Sequence, residues 1–434
     1  MRRATPVLSA LLCTALVAAS AGCGNSGSSS DSADGGVLNL VTANHPWTEA
    51  VKSLGLLDEY QKATGTKVSI ESFAEDQLTQ QLTVKLNAPN SEIDVVMYRP
   101  PQEGRQFVLN GWLVELADLT KDGAFDWADF QDGPRGTVTI DNKVYGAPIV
   151  TEREILYYRK SLLRQKGIEV PKSLDDLVAA AQKLDDKPGG VAGFIARGKQ
   201  ANAVTQFSSY LYGYGGDFIK DGKSAINTPE AIKAFDVYGS LLRDYGPRPA
   251  DATLQMNWPE ALAVFVQGKA AMYTDADSIV AGMLDKQKSK ITDDLGFAPF
   301  PAGPAGARPY QVASWALGVS AKAPHAAAAK RFISWIASKD NVLKLQQKAV
   351  PGPRLSAWSS ADGTKGFPAE YVAALNATMK LTTTDHDRPQ VVGVARSREI
   401  VGSVIVASIQ GKDVAAAAAA ADKDLTEFLK TDGK

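Results

Sequence analysis

Three short runs near the amino end decide the fold: Val37-Leu38-Asn39-Leu40-Val41-Thr42, Lys67-Val68-Ser69-Ile70-Glu71 and Ile93-Asp94-Val95-Val96-Met97-Tyr98. Each is rich in β-branched and apolar residues and reads as a strand. Between the first two, Ala50, Val51, Leu54, Leu57 and Tyr60 recur at helical spacing. Between the second and third, residues 76–86 form an amphipathic helical pattern. Strand, helix, strand, helix, strand at this spacing predicts βαβ units around a parallel sheet. Ligands of open sheets lie beyond the carboxyl ends of the strands. The loop positions expected to face one are therefore Asn44 and His45, residues 73–75, and Tyr98 with Arg99.

Upstream of these strands, Arg2 and Arg3 precede a mostly apolar run over residues 7–21. The run is shorter than the roughly 20 residues a comfortable membrane span needs. Ser20-Ala21-Gly22-Cys23 then sets small residues before a cysteine, so residues 1–22 read as a secretory leader. The cysteine resembles the attachment point of a bacterial lipobox, although Ser20 stands where that pattern has Leu. Lipid attachment at Cys23 is the expectation, with an ordinary signal peptide cleaved near Ala21 as the alternative. Residues 23–36, almost all Gly, Ser, Asp, Asn and Ala after the cysteine, cannot bury a core and read as a flexible tether.

The rest of the chain narrows the class. The only cysteines are Cys13 and Cys23, so no disulfide or cysteine metal site is expected in the mature body. A formal net charge of −1 over 434 residues offers no basic face for nucleic acid. Helical patterns over residues 161–166, 174–184, 229–244 and 259–267 are followed by strand patterns over 270–273 and 294–297. Helices return over 324–337, 341–348 and 413–429. Ser173 and Thr228 are suited to cap the helices that follow them, and Pro229 fits a first helical position. This re-entrant order predicts an α/β body of two discontinuous lobes. The expected boundaries are 37–148 with 274–323 for the amino-terminal lobe, and 149–273 with 324–434 for the other.

Several segments in order carry a family resemblance: Val144-Tyr145-Gly146-Ala147-Pro148, Tyr157-Tyr158-Arg159-Lys160, Arg197-Gly198-Lys199, Tyr245-Gly246-Pro247, Gly268-Lys269-Ala270-Ala271-Met272, Gly296-Phe297-Ala298-Pro299 and Val350-Pro351-Gly352-Pro353-Arg354. Together they resemble family 1 bacterial extracellular solute-binding proteins, and most resemble the sorbitol/mannitol-type members. The resemblance implies a periplasmic-binding-protein-like fold, with a carbohydrate or polyol closing two lobes around itself. It implies ABC permease and ATPase subunits in the membrane as partners. A monomer without cofactor or metal is expected, attached to the cell membrane on its extracytoplasmic face.

Carbohydrate recognition needs flat apolar faces together with planar polar groups that fork onto adjacent hydroxyls. The resemblance places Trp315 as an aromatic lining the cleft, Arg197 near the ligand and Asp275 at the family's acidic position. A core tryptophan and an interlobe salt bridge are the structural alternatives for the first two. Asn44, Glu75 and Glu152 match cleft-facing loop positions, and Arg354 matches the cleft rim, where bracing is the alternative. His45, Lys199 and Trp258 complete the candidates, while Asp277 reads more as a helix cap. Asp385-His386-Asp387 reads as a solvated loop rather than a metal site. A secreted carbohydrate-active hydrolase, or a binder of another solute such as a peptide, are the other functional readings. Neither a metalloprotease motif, a nucleophile elbow nor a phosphate loop is present to support catalysis.

Overall fold

The computed structural model describes residues 36–433, apart from the side chains of Glu75 and Asp76. The leader, Cys23 and all of the tether except Gly36 lie outside the described residues. Eight strands form one connected sheet. They are β1 (Val37–Ala43), β2 (Lys67–Phe73), β3 (Val95–Tyr98), β4 (Ala147–Arg159), β5 (Ala192–Ile195), β6 (Ala270–Ala276), β7 (Leu295–Pro299) and β8 (Gln311–Val319). The order is β2-β1-β3-β8-β4-β6-β5, with β7 also paired to β4.

The parallel start holds: β1 runs parallel to β2 with Val37 opposite Lys67, and parallel to β3 with Leu40 opposite Val95. The intervening helices Leu56–Thr64 and Glu75–Asn87 supply the crossovers. Strand β4 is long because it serves two bodies. Its first half pairs antiparallel with β8, from Leu317 opposite Ala147 to Gln311 opposite Arg153. Its second half pairs with β6 on one edge and β7 on the other, from Glu154 onward. The chain therefore passes between the bodies on β4 itself, and the change of partner falls at Arg153 and Glu154.

Three buried cores lie along this frame. The first gathers side chains from Leu38 to Val150 and from Ala313 to Val350. The second packs Leu156, Phe194, Phe207, Phe235 and Met272 against Ile400, Val404 and Leu425. The third sits on the other face of the second sheet half, with Tyr157, Tyr273, Phe297 and Tyr371. Residues 274–300 pack with the second body, because β6 and β7 both hydrogen-bond to the second half of β4. The helices Ala326–Ile336 and Lys339–Gln346 pack with the first body, where Phe332 meets the ring of Tyr60 at 5.2 Å.

The expected caps appear where local chemistry calls for them. Ser173 and Asp176 form a reciprocal capping box on the helix Leu174–Leu184. The Thr228 side chain accepts from the Ala231 amide, with Pro229 in the first turn. Among the described residues no helix is long and apolar enough to cross a membrane.

Candidate functional site: a buried fork where two lobes meet

The site is built on the carboxyl ends of β5 and β6, where strand-end side chains converge across the change of partner in β4. Arg197 follows β5, and Asp275 lies near the end of β6. The Arg197 guanidinium donates to both carboxylate oxygens of Asp275, from Nη2 at 2.7 Å and from Nε at 3.2 Å. Asp275 is fully buried and Arg197 is 8 % exposed, so this is a planar, charge-assisted pair held out of water. Gln206 and Tyr273 also donate to the Asp275 carboxylate, and the Ala276 amide donates to it at 2.7 Å. From the other side, the Tyr238 hydroxyl donates to the Arg197 carbonyl at 2.6 Å. Fork and backbone are thus both held by the protein's own side chains.

Glu152 stands on the first half of β4 and is partly exposed. It accepts from the Ser278 hydroxyl at 2.8 Å. Burial pushes its carboxyl up to about 7; Arg197 and Ser278 pull the other way, while Asp277 and Asp275 add to the rise. Trp315 on β8 lies opposite Val150 of β4. Val150 and Glu152 are two residues apart on one strand face, about 7 Å along it. The register of β8 is irregular on both sides of Trp315, so its ring is located by its contacts. The ring of Trp315 lies 5.3 Å from the His45 ring and 5.6 Å from the Arg99 guanidinium. It is 4 % exposed, so it is wedged between these two groups and is not an open platform. Burial lowers the pKa of His45 to about 4, which keeps its ring neutral near pH 7, and Nδ1 accepts from the Trp47 amide at 3.1 Å.

The structure therefore joins Arg197 with Asp275, and His45 with Trp315, while Glu152 lies between these groups along β4. Asn44 is exposed immediately after β1, and its amide donates to the Phe73 carbonyl at 2.7 Å. Glu75 opens the helix Glu75–Asn87 at the end of β2. Lys199 is exposed at the cap of the helix Gln200–Gly213, and Trp258 begins the helix Trp258–Val266, partly exposed. Among the described residues, no hydrogen bond, ion pair or ring contact joins the Lys199 or Trp258 side chain to Arg197 or Asp275.

Arg354 takes the bracing role, one of the two expected of it. It is fully buried and donates to the carbonyls of Ala337, Phe125 and Asp126 and to the carboxylate of Asp129. Its guanidinium also lies 4.2 Å from the Phe130 ring centre. Those donors are spent on holding loops of the first body, so Arg354 is a brace. Asp277 is likewise structural, tied to Arg153 through the Arg153 amide at 2.9 Å and Nε at 2.8 Å, both groups fully buried.

Of the Asp385-His386-Asp387 triplet, expected as a solvated loop, Asp385 is exposed and His386 half-buried. Asp387 is buried and ion-paired to Arg388, and His386 lies between Asp385 at 2.9 Å and Asp217 at 3.8 Å. Arg388 and Arg398 both donate to the side-chain oxygen of Gln102, on the first body. Among the described residues no group of His, Cys, Asp and Glu could hold a metal ion. Sequence reasoning missed Gln206, Tyr273 and Glu154. Glu154 carried a usable signal, because strand alternation puts it on the same face as Glu152.

Residues 46–343 match the model of the bacterial extracellular solute-binding protein family. The chain belongs to that family. Membership makes it an extracytoplasmic solute-binding protein of a transport system and not an enzyme. The mannitol-binding protein of Pseudomonas aeruginosa is 29% identical over 300 residues, covering 66% of this chain and 67% of its own. A solute-binding protein of Agrobacterium radiobacter K84 solved with ribitol superposes with a TM-score of 0.79 at 25% identity, covering 91% of this chain and 99% of that one. Another, from Agrobacterium vitis S4 with bound D-mannitol, gives 0.75 at 26% identity, covering 92% and 100%. The two-lobed α/β architecture of periplasmic binding proteins is thus the fold of this chain.

Proposed function

We propose that this extracytoplasmic solute-binding protein takes a carbohydrate or sugar alcohol between its two lobes, closes on it, and delivers it to the permease of an ATP-driven importer. The observation that carries this reading is the buried Arg197–Asp275 fork at the strand ends, with the Glu152 carboxyl close enough to act on Arg197. With Asp275 holding its plane, the Arg197 guanidinium is a fixed planar donor at the seam, which suits a ligand hydroxyl. The polyols bound by the similar proteins support the same ligand class. The lobes follow the buried cores: 37–153 with 311–350 form the first, and the remainder to 433 forms the second. The protein acts as a monomer, and diacylglycerol on Cys23 holds it at the outer face of the membrane through the tether.

Calorimetry of the purified protein with ribitol, D-mannitol and maltose tests the ligand class, with the ligand recovered intact afterwards. Heat-silent titrations with all of them would overturn it. Anchoring is tested separately: Cys23→Ala should move the protein from the membrane fraction to the medium, and unchanged membrane attachment would overturn it.

A further inference from the structure

Directly beside the fork lies a carboxyl group that the proposed binding mode does not use. Glu154 is fully buried, and neither of its oxygens has a hydrogen-bond partner. The hydroxyls of Ser209 and Thr274 lie next to it, outside good hydrogen-bonding geometry. Its backbone partner is Ala276, one residue beyond Asp275. The charged groups acting on it are Asp275 and Arg197, and Arg197 is already held by Asp275 through two hydrogen bonds. Tyr210 from the helix Gln200–Gly213, Tyr238 from the helix Pro229–Tyr245, and Tyr310 before β8 surround the same space. Two further buried polar atoms in this cluster, Gln206 Oε1 and the Tyr310 hydroxyl, also lack partners.

An ionised carboxylate sealed among tyrosines, without a hydrogen bond or a cation of its own, is too costly to persist. We infer that Glu154 is a positioning residue that works as an uncharged carboxylic acid, leaving Arg197 committed to Asp275 alone. Ionised, it would compete with Asp275 for the single guanidinium and pull the fork out of plane. Burial lifts its pKa well above the ordinary carboxylate range, and the nearby Asp275 carboxylate adds to that rise while Arg197 opposes it. The role in ligand binding rests on the proposed function, whereas the protonation state does not.

Glu154→Gln tests both, because an amide copies the shape of the neutral acid without being able to ionise. The folded protein holds this proton above the unfolded value of roughly 4.3. Stability due to Glu154 is therefore full below that pH and is lost as pH rises toward the raised folded value. Over that window each pH unit weakens folding of the wild type about tenfold relative to Glu154→Gln. Melting curves without ligand should nearly coincide at pH 4.5 and separate as pH rises above it, with the variant the more stable. Glu152 titrates in both proteins, so its contribution cancels in the difference. The variant should bind ribitol within about threefold of wild type at pH 7, whereas Glu154→Ala should lose at least tenfold. Parallel melting curves, or a Gln variant that falls behind as pH rises, would overturn the neutral acid. A separating pair of curves with a Gln variant as weak as Ala would overturn the positioning role. Wild type that binds no polyol or sugar would instead count against the proposed ligand class, leaving the melting result to decide the protonation state.

Discussion

Gln102 of the first lobe accepts a 2.7 Å hydrogen bond from Nη1 of Arg388 in the second. Its oxygen also accepts from Nη1 of Arg398 at 3.2 Å, and both arginines reach Thr205 as well. One neutral side chain thus bridges two cations across the seam. Hydrogen bonds to charged groups contribute about 1.5–3 kcal/mol, and these exist only when the lobes are together. Gln102→Ala should shift the lobes toward the open form. Ligand affinity should fall by roughly 10-fold, the lower end of that range, and the radius of gyration of the ligand-free protein should rise. Identical scattering from wild type and variant would show that the contact does not bias closure.

The fork predicts a separation between charge and geometry. Arg197→Lys keeps a cation beside Asp275 but replaces a planar fork with a point charge. Ribitol affinity should fall by about 1–2 kcal/mol, roughly 5- to 30-fold, while the melting temperature changes little. Asp275→Ala is harsher, because it leaves the buried guanidinium without its carboxylate. It should lose about 2–4 kcal/mol in binding, and it should also lower stability. Calorimetry paired with thermal melts distinguishes the two effects, and wild-type affinity in both variants would remove Arg197 and Asp275 from the site.

Arg354 should behave in the opposite way. Its donors hold the carbonyls of Phe125, Asp126 and Ala337 together with Asp129. Arg354→Met should cost about 3–5 kcal/mol of folding stability, because it strands those acceptors in a buried site. The folded fraction should bind ligand with unchanged affinity. A variant that melts normally but binds weakly would return Arg354 to the cleft.

How much of this could be read from residues alone varied with the physics involved. The β1 to β3 register was legible because a buried parallel strand shows itself as an apolar run, and its loops follow from strand direction. Arg197 and Asp275 were legible as strand-end charges with the help of a family pattern, although their mutual hydrogen bonds were not. The passage between bodies was not legible, because β4 changes partners between Arg153 and Glu154 without any break in its strand pattern. Nothing local in Phe297 says which half of β4 it will join. For Arg354 the choice between cleft rim and brace was not legible for a related reason, since a Pro-rich loop looks the same in either role. The Asp385-His386-Asp387 run looked solvated because polar residues usually are. The burial of Asp387 beside Thr205 and the pairing of His386 with Asp217 depend on residues distant in sequence.

His386, half-buried within this triplet, carries a pH dependence. His386 lies between the carboxylates of Asp385 and Asp217, and its carbonyl accepts from the Tyr212 hydroxyl. Burial opposes charge on the ring, but the hydrogen bonds and charges of Asp217 and Asp385 outweigh it and lift His386 to about 9. The folded pKa is therefore raised above the unfolded value of about 6.5. The stabilisation from this imidazolium is full below pH 6.5 and is lost as pH rises through about 9. His386→Gln should melt below wild type at pH 6, and the gap should close by about pH 10. Because Thr137 of the first lobe donates to the Asp385 carbonyl, the same loss should loosen the seam, so wild-type ligand affinity should weaken over this alkaline range. The Gln variant should show a flatter affinity profile. Melting curves that stay equally far apart from pH 6 to pH 10 would mean that His386 carries no charge in the folded protein.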